Sequence, residues 1–241
     1  MGTQRVLAPL LRRFDPCRPC HFSRKEIYKM IYVIMCGGNY SYFEHPKALA
    51  EVHGEPLVGR TVRLLKEAGI KESEIKITGS DPRLEAFGPE VLRHKNDFKV
   101  LPDRIEGYWL NAFIRVSVPV CYLFGDVYYT DIGIKKIVAH NSGLNTLFGT
   151  YNKDLKPWDE PLAFKVFDTE AFFVGVKAVK RLSDQGRCNR HPIVWELYRF
   201  LNGIDVNVHQ VNPDTYVNIP DGGMDVDGPE DLKRVEQYYA G

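Results

Sequence analysis

The chain has 241 residues, 44% hydrophobic, 26% charged and 12% aromatic, which is the profile of a globular protein with enough apolar mass for a full core and excludes disordered, collagenous and coiled-coil classes. Its 32 Lys+Arg balance 31 Asp+Glu, so no global field is available to hold nucleic acid or an anionic membrane. The longest apolar runs, Ile31–Cys36 and Val118–Phe124, fall far below the ~20 residues of a membrane-spanning helix.

Residues 1–29 lack apolar periodicity and read as a flexible arm or a non-native extension, with residues 30–241 as one folded domain. Val6–Leu11 is short, lies between arginines and lacks a small-residue cleavage site, so it does not read as a secretory signal. Cys17, Cys20 and His21 have part of a zinc spacing, but no second pair follows. Five cysteines in no regular framework suit a reducing compartment, and a cytoplasmic location is expected.

Ile31–Met35 reads as a buried parallel strand that runs into a turn of Cys36, Gly37, Gly38 and Asn39. Pro56 opens a helix whose Leu57, Val58, Thr61, Val62, Leu65 and Ala68 form one stripe, and Gly69 closes it. Ile75–Thr78 is a second strand, ending in the turn cluster Gly79, Ser80, Asp81 and Pro82. Val120–Phe124 is a third, followed by Gly125 and Asp126, and Asp131 is expected to cap a helix carrying Ile134, Ile137 and Val138. Further strands are expected at Leu144–Thr150, Leu162–Phe167 and Ile204–Val211, with helices at Pro192–Leu201 and Pro229–Tyr239. Strands alternating with helices imply an α/β fold with a mostly parallel sheet covered on both faces. Ligands of such sheets bind beyond the carboxyl ends of the strands, which brings forward the loops after Met35, Thr78 and Phe124.

The glycine turn allows backbone N–H groups to approach a phosphate, yet it is neither a Walker loop nor a dinucleotide fingerprint. It is followed by His45-Pro46-Lys47-Ala48-Leu49, then Gly54-Glu55-Pro56-Leu57 and a helix ending in Ala68-Gly69-Ile70. Tyr122-Leu123-Phe124-Gly125-Asp126 and Met224-Asp225-Val226-Asp227-Gly228-Pro229-Glu230-Asp231-Leu232 come later. These segments, in this order, resemble the nucleotidyltransferases of the GT-A type, with their glycine-rich opening, Pro-Lys-x-Leu, Gly-x-Pro-Leu, Gly-Asp and closing Asp-x-Pro-Glu-Asp-Leu. The resemblance spans Ile31 to Tyr239 and implies a single three-layer, Rossmann-like GT-A domain. It further implies transfer of NMP from an NTP to a phosphorylated sugar or similar small metabolite, with release of pyrophosphate, as in nucleotide sugar biosynthesis.

Carried onto matching positions, the resemblance makes Lys47 and Asp126 catalytic. It places the nucleotide against Cys36, Gly37, Gly38, Asn39, Lys47, Ser80 and Asp81, with Gly107 and Asn111 in the base-recognition segment. The chemistry is consistent: an anionic acceptor attacks the α-phosphorus and pyrophosphate leaves, so charge must be neutralised and reactants aligned. Asp126 at the end of a buried strand needs a cationic partner, and Mg²⁺, or Mn²⁺ in its place, prefers such oxygen ligands. Asp225 and Asp227 share one side of an extended segment, so either could be the second ligand; the family motif selects Asp227, against a reading in which it only caps the helix at Pro229. The family's loop arginine is missing between Asn39 and His45, which leaves phosphate charge to Lys47, backbone amides, Mg²⁺ or a residue such as Lys165, read as an acceptor contact or a surface lysine. Two alternatives keep the fold: a GT-A glycosyltransferase using Asp225-Val226-Asp227 and a nucleotide sugar, and a non-catalytic nucleotide-binding homologue. Nucleic acid and membrane are not expected partners, and a homo-oligomer is left open.

Overall fold

The computed structural model describes residues 29–37, 43–151 and 159–239. The zinc reading of Cys17, Cys20 and His21, all but Lys29 of the expected arm, and Gly38 and Asn39 of the glycine turn lie outside the described residues. In chain order the elements are β1 (Ile31–Met35), β2 (Glu51–Val52), β3 (Glu55–Pro56), α1 (Leu57–Glu67), β4 (Ile75–Gly79), β5 (Glu90–Arg93), β6 (Lys99–Val100) and β7 (Ile105–Glu106). They continue with β8 (Val120–Phe124), β9 (Val127–Tyr129), α2 (Asp131–Ala139), β10 (Thr146–Thr150), β11 (Glu160–Val166), α3 (Thr169–Asp184), α4 (Val194–Leu201), β12 (Tyr216–Asn218), β13 (Gly223–Asp225) and α5 (Pro229–Tyr238).

The principal sheet has seven strands in the order β12-β10-β11-β8-β1-β4-β5, and only β11 runs against the rest. All five residues of β8 are buried, as a strand covered on both faces requires. Tyr122 stacks on Phe172 of α3 at 5.8 Å between centroids, while Lys165, in register with the preceding residue Cys121, reaches the carboxyl end of α2. Neighbouring positions of a strand face opposite ways, so α2 and α3 cover opposite faces of the sheet. The chain enters at β1, moves outward through β4 to β5, then crosses back to β8 on the other side of β1. The carboxyl ends of β1 and β8 therefore flank the switch point where such sheets form a crevice.

The α1 stripe is as the spacing predicts, with Leu57, Val58, Thr61, Val62 and Leu65 buried; Pro56 is the cap residue rather than the first helical one. Gly69, at φ +88°, closes the helix with Ile70 N–H donating to the Leu65 carbonyl. Three expectations are corrected. Thr130, not Asp131, caps α2, its hydroxyl accepting from Gly133 N–H at 3.0 Å. Residues 204–211 are not a strand: Asp205 Oδ1 accepts from Asn207 N–H at 2.9 Å and its carbonyl from Val208 N–H, a local turn that overrides the alternating valines. The longest helix, α3, was not anticipated, although Asp168 caps it and Phe172, Val176 and Val179 bury one stripe.

A second, smaller core contains Ala50, Val52, Leu57, Tyr128, Met224, Val226 and Val235, with Phe43, Leu232 and Tyr239 against it. It joins three distant parts of the chain: the β2–β3 ribbon after Lys47, β9 after Asp126, and β13 with α5 on either side of Asp227. β9 and β13 pair antiparallel, Asp225 opposite Val127, and Val226 N–H donates to the Asp126 carbonyl at 2.8 Å.

Candidate active site

Gly125 carries the chain out of β8 in close contact with β1. Its N–H donates to the Met35 carbonyl at 3.1 Å, and a Cβ there would sit 2.5 Å from that oxygen and 2.8 Å from Cys36 Sγ. Only glycine permits this approach, and it delivers Asp126 to the crevice beside Cys36. Lys47 begins a single 3-10 turn, Lys47–Leu49, pinned by Ala50 N–H to its carbonyl at 2.9 Å. Its ammonium lies 3.2 Å from Asp126 Oδ2 and 2.8 Å from Asp227 Oδ1. The helix following Asp227 is capped by Gly228 without a side-chain bond, and the Asp227 carboxylate is turned to Lys47 instead. Asp231 accepts from the Asp227 N–H at 3.0 Å and fixes that loop.

Lysine at this position works against burial, which alone pulls its pKa down; Asp126, Asp225 and Asp227 together outweigh that and hold the ammonium well above its ordinary value. Asp225 is driven toward its neutral form. Burial raises its pKa well above the carboxylate range, and the negative charges of Asp126, Asp227 and Glu160 add to it against Lys47. The cluster thus has more carboxylates than cations. Its donors are all oxygen, which fits a hard divalent ion such as Mg²⁺ or Mn²⁺. Among the described residues no three His, Cys, Asp or Glu side chains are gathered closely enough to hold a metal alone. An ion held here would draw its remaining ligands from water or substrate phosphate, which is how Mg²⁺ is usually bound.

The other expected positions surround this cluster unevenly. Cys36 is 4% exposed, with its thiol pushed up by burial and by Asp126, so it serves as packing beneath Gly125. Gly37 stands at a wall formed by His94 and Asn96, which lie 3.7 and 3.9 Å from where a Cβ would be. Ser80 and Asp81 follow the neighbouring strand β4. Asp81 caps the short helical turn Pro82–Phe87 and is held down to about 2 by the Arg83 guanidinium. Gly107 and Asn111 meet at Asp97: Gly107, at φ +68°, leaves no room for a side chain beside the Asp97 carbonyl, and Asn111 Nδ2 donates to Asp97 Oδ1 at 2.7 Å. Asn96 and Asp97 are adjacent, so this segment and Gly37 belong to one wall of the crevice.

Lys165 is a correction. It is 2% exposed, and its ammonium donates to the carbonyls of Ile137, Val138 and His140 at 2.8, 3.2 and 2.6 Å, closing the carboxyl end of α2. It lies in register with Cys121, toward the end of β8 opposite Asp126. An ammonium with three donors in use at the far end of the sheet is no acceptor contact. Glu160, buried at the start of β11 opposite Thr150, adds its negative charge to Asp225 and is the residue near the cluster that sequence reasoning missed. A glutamate opening an otherwise apolar strand was the available signal.

No protein-family model matches the chain, and no curated protein matches it. Among solved structures it is similar to CMP:2-keto-3-deoxy-manno-octonic acid synthetase complexed with CTP, at TM-score 0.51 and 16% identity, covering 88% of this chain and 98% of that one. A Bacillus anthracis protein assigned as a glucose-1-phosphate thymidylyltransferase, in complex with sucrose, gives 0.53 and 13%, with 87% and 94% covered. The 4-diphosphocytidyl-2C-methyl-D-erythritol synthase of Anaerococcus prevotii gives 0.52 and 12%, with 88% and 98% covered. The likeness is one of fold, and it extends over nearly the whole of each neighbour: the chain has the α/β, Rossmann-like fold of these proteins. No helix among the described residues is long and apolar enough to cross a membrane.

Proposed function

We propose that the chain is a nucleotidyltransferase that moves the NMP group of an NTP onto a phosphorylated sugar or a related small metabolite and releases pyrophosphate. The observation that carries this reading is the Lys47 ammonium bridging Asp126 and Asp227 at the switch point of the sheet. In the reaction an acceptor phosphate oxygen forms a bond to the α-phosphorus while the bond from that phosphorus to the β-phosphate oxygen breaks, and the electron pair leaves with pyrophosphate. Lys47 is placed to offset charge on the α-phosphate and the leaving group, and its tether to two carboxylates fixes where that charge is offered. Asp126, with Asp227 or Asp225 as the second ligand, would hold Mg²⁺ or Mn²⁺, which supplies further charge neutralisation when bound. The wall from Gly37 through Asn96 and Asp97 to Gly107 and Asn111 is the surface offered to the nucleoside. The neighbours' printed names, synthetases and nucleotidyl-group transferases, support the same reading, as does the order of the motifs. A cytoplasmic protein in nucleotide sugar biosynthesis fits this activity.

The test is a pyrophosphate-release screen crossing four NTPs with phosphorylated sugars, polyols and amino-acid derivatives. Lys47→Ala and Asp126→Asn are each expected to cut turnover at least about 100-fold with the circular dichroism spectrum unchanged, the scale of losing one electrostatic stabiliser. Near-normal rates in both variants would overturn the assignment. Release of nucleoside diphosphate from a nucleotide sugar would instead identify a glycosyltransferase.

A further inference from the structure

The ladder between β8 and β11 runs from Val120 opposite Val166 to Leu123 opposite Ala163 and stops there, before Phe124. On its other side β11 slips against β10 at the same level: Phe148 faces Ala163 and Gly149 faces Pro161, so the register passes over Leu162. The two strands therefore fork at Phe124 and Leu162, two residues before Asp126. Both positions are buried, at 5% and 0% exposure, and backbone groups in such a place require partners.

The Tyr129 hydroxyl fills the fork. It accepts from the Phe124 N–H at 2.9 Å and donates to the Leu162 carbonyl, with the Phe124 carbonyl 3.3 Å away. A phenol has one hydrogen to give, and the nearer Leu162 carbonyl takes it. Tyr129 is fully buried, and burial holds its pKa well above the ordinary value, so that hydrogen stays in place. The residue is itself anchored, its carbonyl accepting from Arg60 Nε of α1 at 2.8 Å and its backbone standing in register with Gly223 of β13. The segment from Phe124 to Tyr129 is thus a short loop closed on itself by a side chain. Within it, Gly125 N–H donates to the Met35 carbonyl at 3.1 Å, and the Asp126 carbonyl accepts from Val226 N–H at 2.8 Å.

We propose that the Tyr129 hydroxyl is a positioning group for Asp126: by bridging the Phe124 N–H and the Leu162 carbonyl it closes this loop and holds the Asp126 carboxylate where Lys47 meets it. Without the oxygen, two buried backbone groups lose their partner, and they recover one only if the strands move or water enters the fork. Either change shifts Gly125 and Asp126 against β1. For its kinetic consequence the proposal rests on the transfer reading, in which misplacement of a charged group on the scale of 1 Å is enough to slow the reaction.

Tyr129→Phe removes only the oxygen. In the pyrophosphate assay kcat is expected to fall at least about tenfold, while KM for NTP and for acceptor each change less than about twofold. Tyr198→Phe is the control. Tyr198 is as deeply buried on α4, and its hydroxyl accepts from the Asn212 N–H at 2.8 Å and lies 3.1 Å from the Asn212 carbonyl. Its loss is expected to lower the melting temperature comparably and leave kcat unchanged. An unchanged kcat in Tyr129→Phe, or an equal fall in both variants, would overturn the proposal. Two measurements need no turnover. Amide hydrogen exchange at Gly125 and Val226 is expected to be at least about tenfold faster in Tyr129→Phe, with Ile34 in β1 unchanged, and equal exchange in variant and wild type would refute the tie. In the wild-type chain, NMR is expected to show the Tyr129 hydroxyl proton as a slowly exchanging resonance with a cross-peak to the Phe124 amide proton; its absence would overturn the bridge even if Tyr129→Phe failed to fold. A wild type that transfers no nucleotide would refute the catalytic reading, while faster exchange at Gly125 and Val226 in the variant would leave the hold on Asp126 standing.

Discussion

Lys165 and Lys47 show how the same side chain serves opposite ends of one sheet. At Lys165 the ammonium meets only neutral carbonyls, and burial lowers its pKa, so its charge is stabilised by three hydrogen bonds and the negative pole of α2. Lys165→Met would leave the carbonyls of Ile137, Val138 and His140 without their donor in a buried place. A loss of about 2–4 kcal/mol in chemical denaturation is expected, with kcat and both KM values unchanged in the folded fraction. An acceptor contact would move KM instead. The distinction was not legible in the sequence, because alternation along β11 gives the face of a residue but not which end of the strand lies beside the crevice. Asp126 and Lys47 stood out because Gly125-Asp126 and Pro46-Lys47 carry the resemblance to the GT-A nucleotidyltransferases, and the structure brings the two side chains together.

At the scale of elements, the geometry of the Lys47 cluster depends on how closely β13 approaches α2. A Cβ at Gly133 would lie 2.0 Å from the Gly222 carbonyl oxygen, and Gly223, at φ +148°, leaves no room for one beside the Tyr128 carbonyl. The backbone contact is sealed by Thr130 N–H to that same Gly222 carbonyl at 3.2 Å. Gly133→Ala must therefore push the Asp221–Gly223 turn away and carry Asp225 and Asp227 with it. Expected are a stability loss of about 1–3 kcal/mol and a fall in kcat of at least tenfold at temperatures where the variant is folded; unchanged kcat would separate this contact from the site. Sequence reading found β1, β4, β8, β10, β11, α1, α2, α4 and α5, and β1, β4, β8 and α1 among them are apolar segments with glycine or proline at an end. The strand expected over 204–211 failed because a side-chain turn at Asp205 competes with pairing, an effect that hydrophobic alternation does not register. β5 and β12 are short edge strands, and nothing in so few residues separates them from loop.

For the molecule as a whole, two histidines in different parts of the structure act in the same direction on acidification. His140 follows α2 and His191 lies between the rings of Phe98 and Tyr108. Burial lowers both pKa values, with Lys165 adding to the effect at His140 and Glu196 opposing it at His191, and in each the Nε2 atom is buried without a partner. A folded-state pKa below the unfolded one means that, between the two, the unfolded chain binds more protons. Their contribution to stability is thus complete above about pH 6.5 and is lost as pH falls through the folded values. Asp225, whose folded pKa is raised, works in reverse, favouring the folded state at low pH and losing that contribution as pH rises. The melting temperature is expected to drop from pH 7.5 to 5.5, and His191→Gln to flatten that drop; an unchanged slope would assign the acid sensitivity elsewhere.

The Lys47 bridge spans 79 residues to Asp126 and 180 to Asp227. On a ribosome, where the chain emerges from its amino end, the principal sheet has most of its strands before the last of these carboxylates is made. Lys47 would then face Asp126 alone, and the segment that seats β9 would still be missing. Completion of the Lys47 cluster is thereby tied to the final stretch of synthesis, so a prematurely stopped chain can acquire much of the architecture and still lack it.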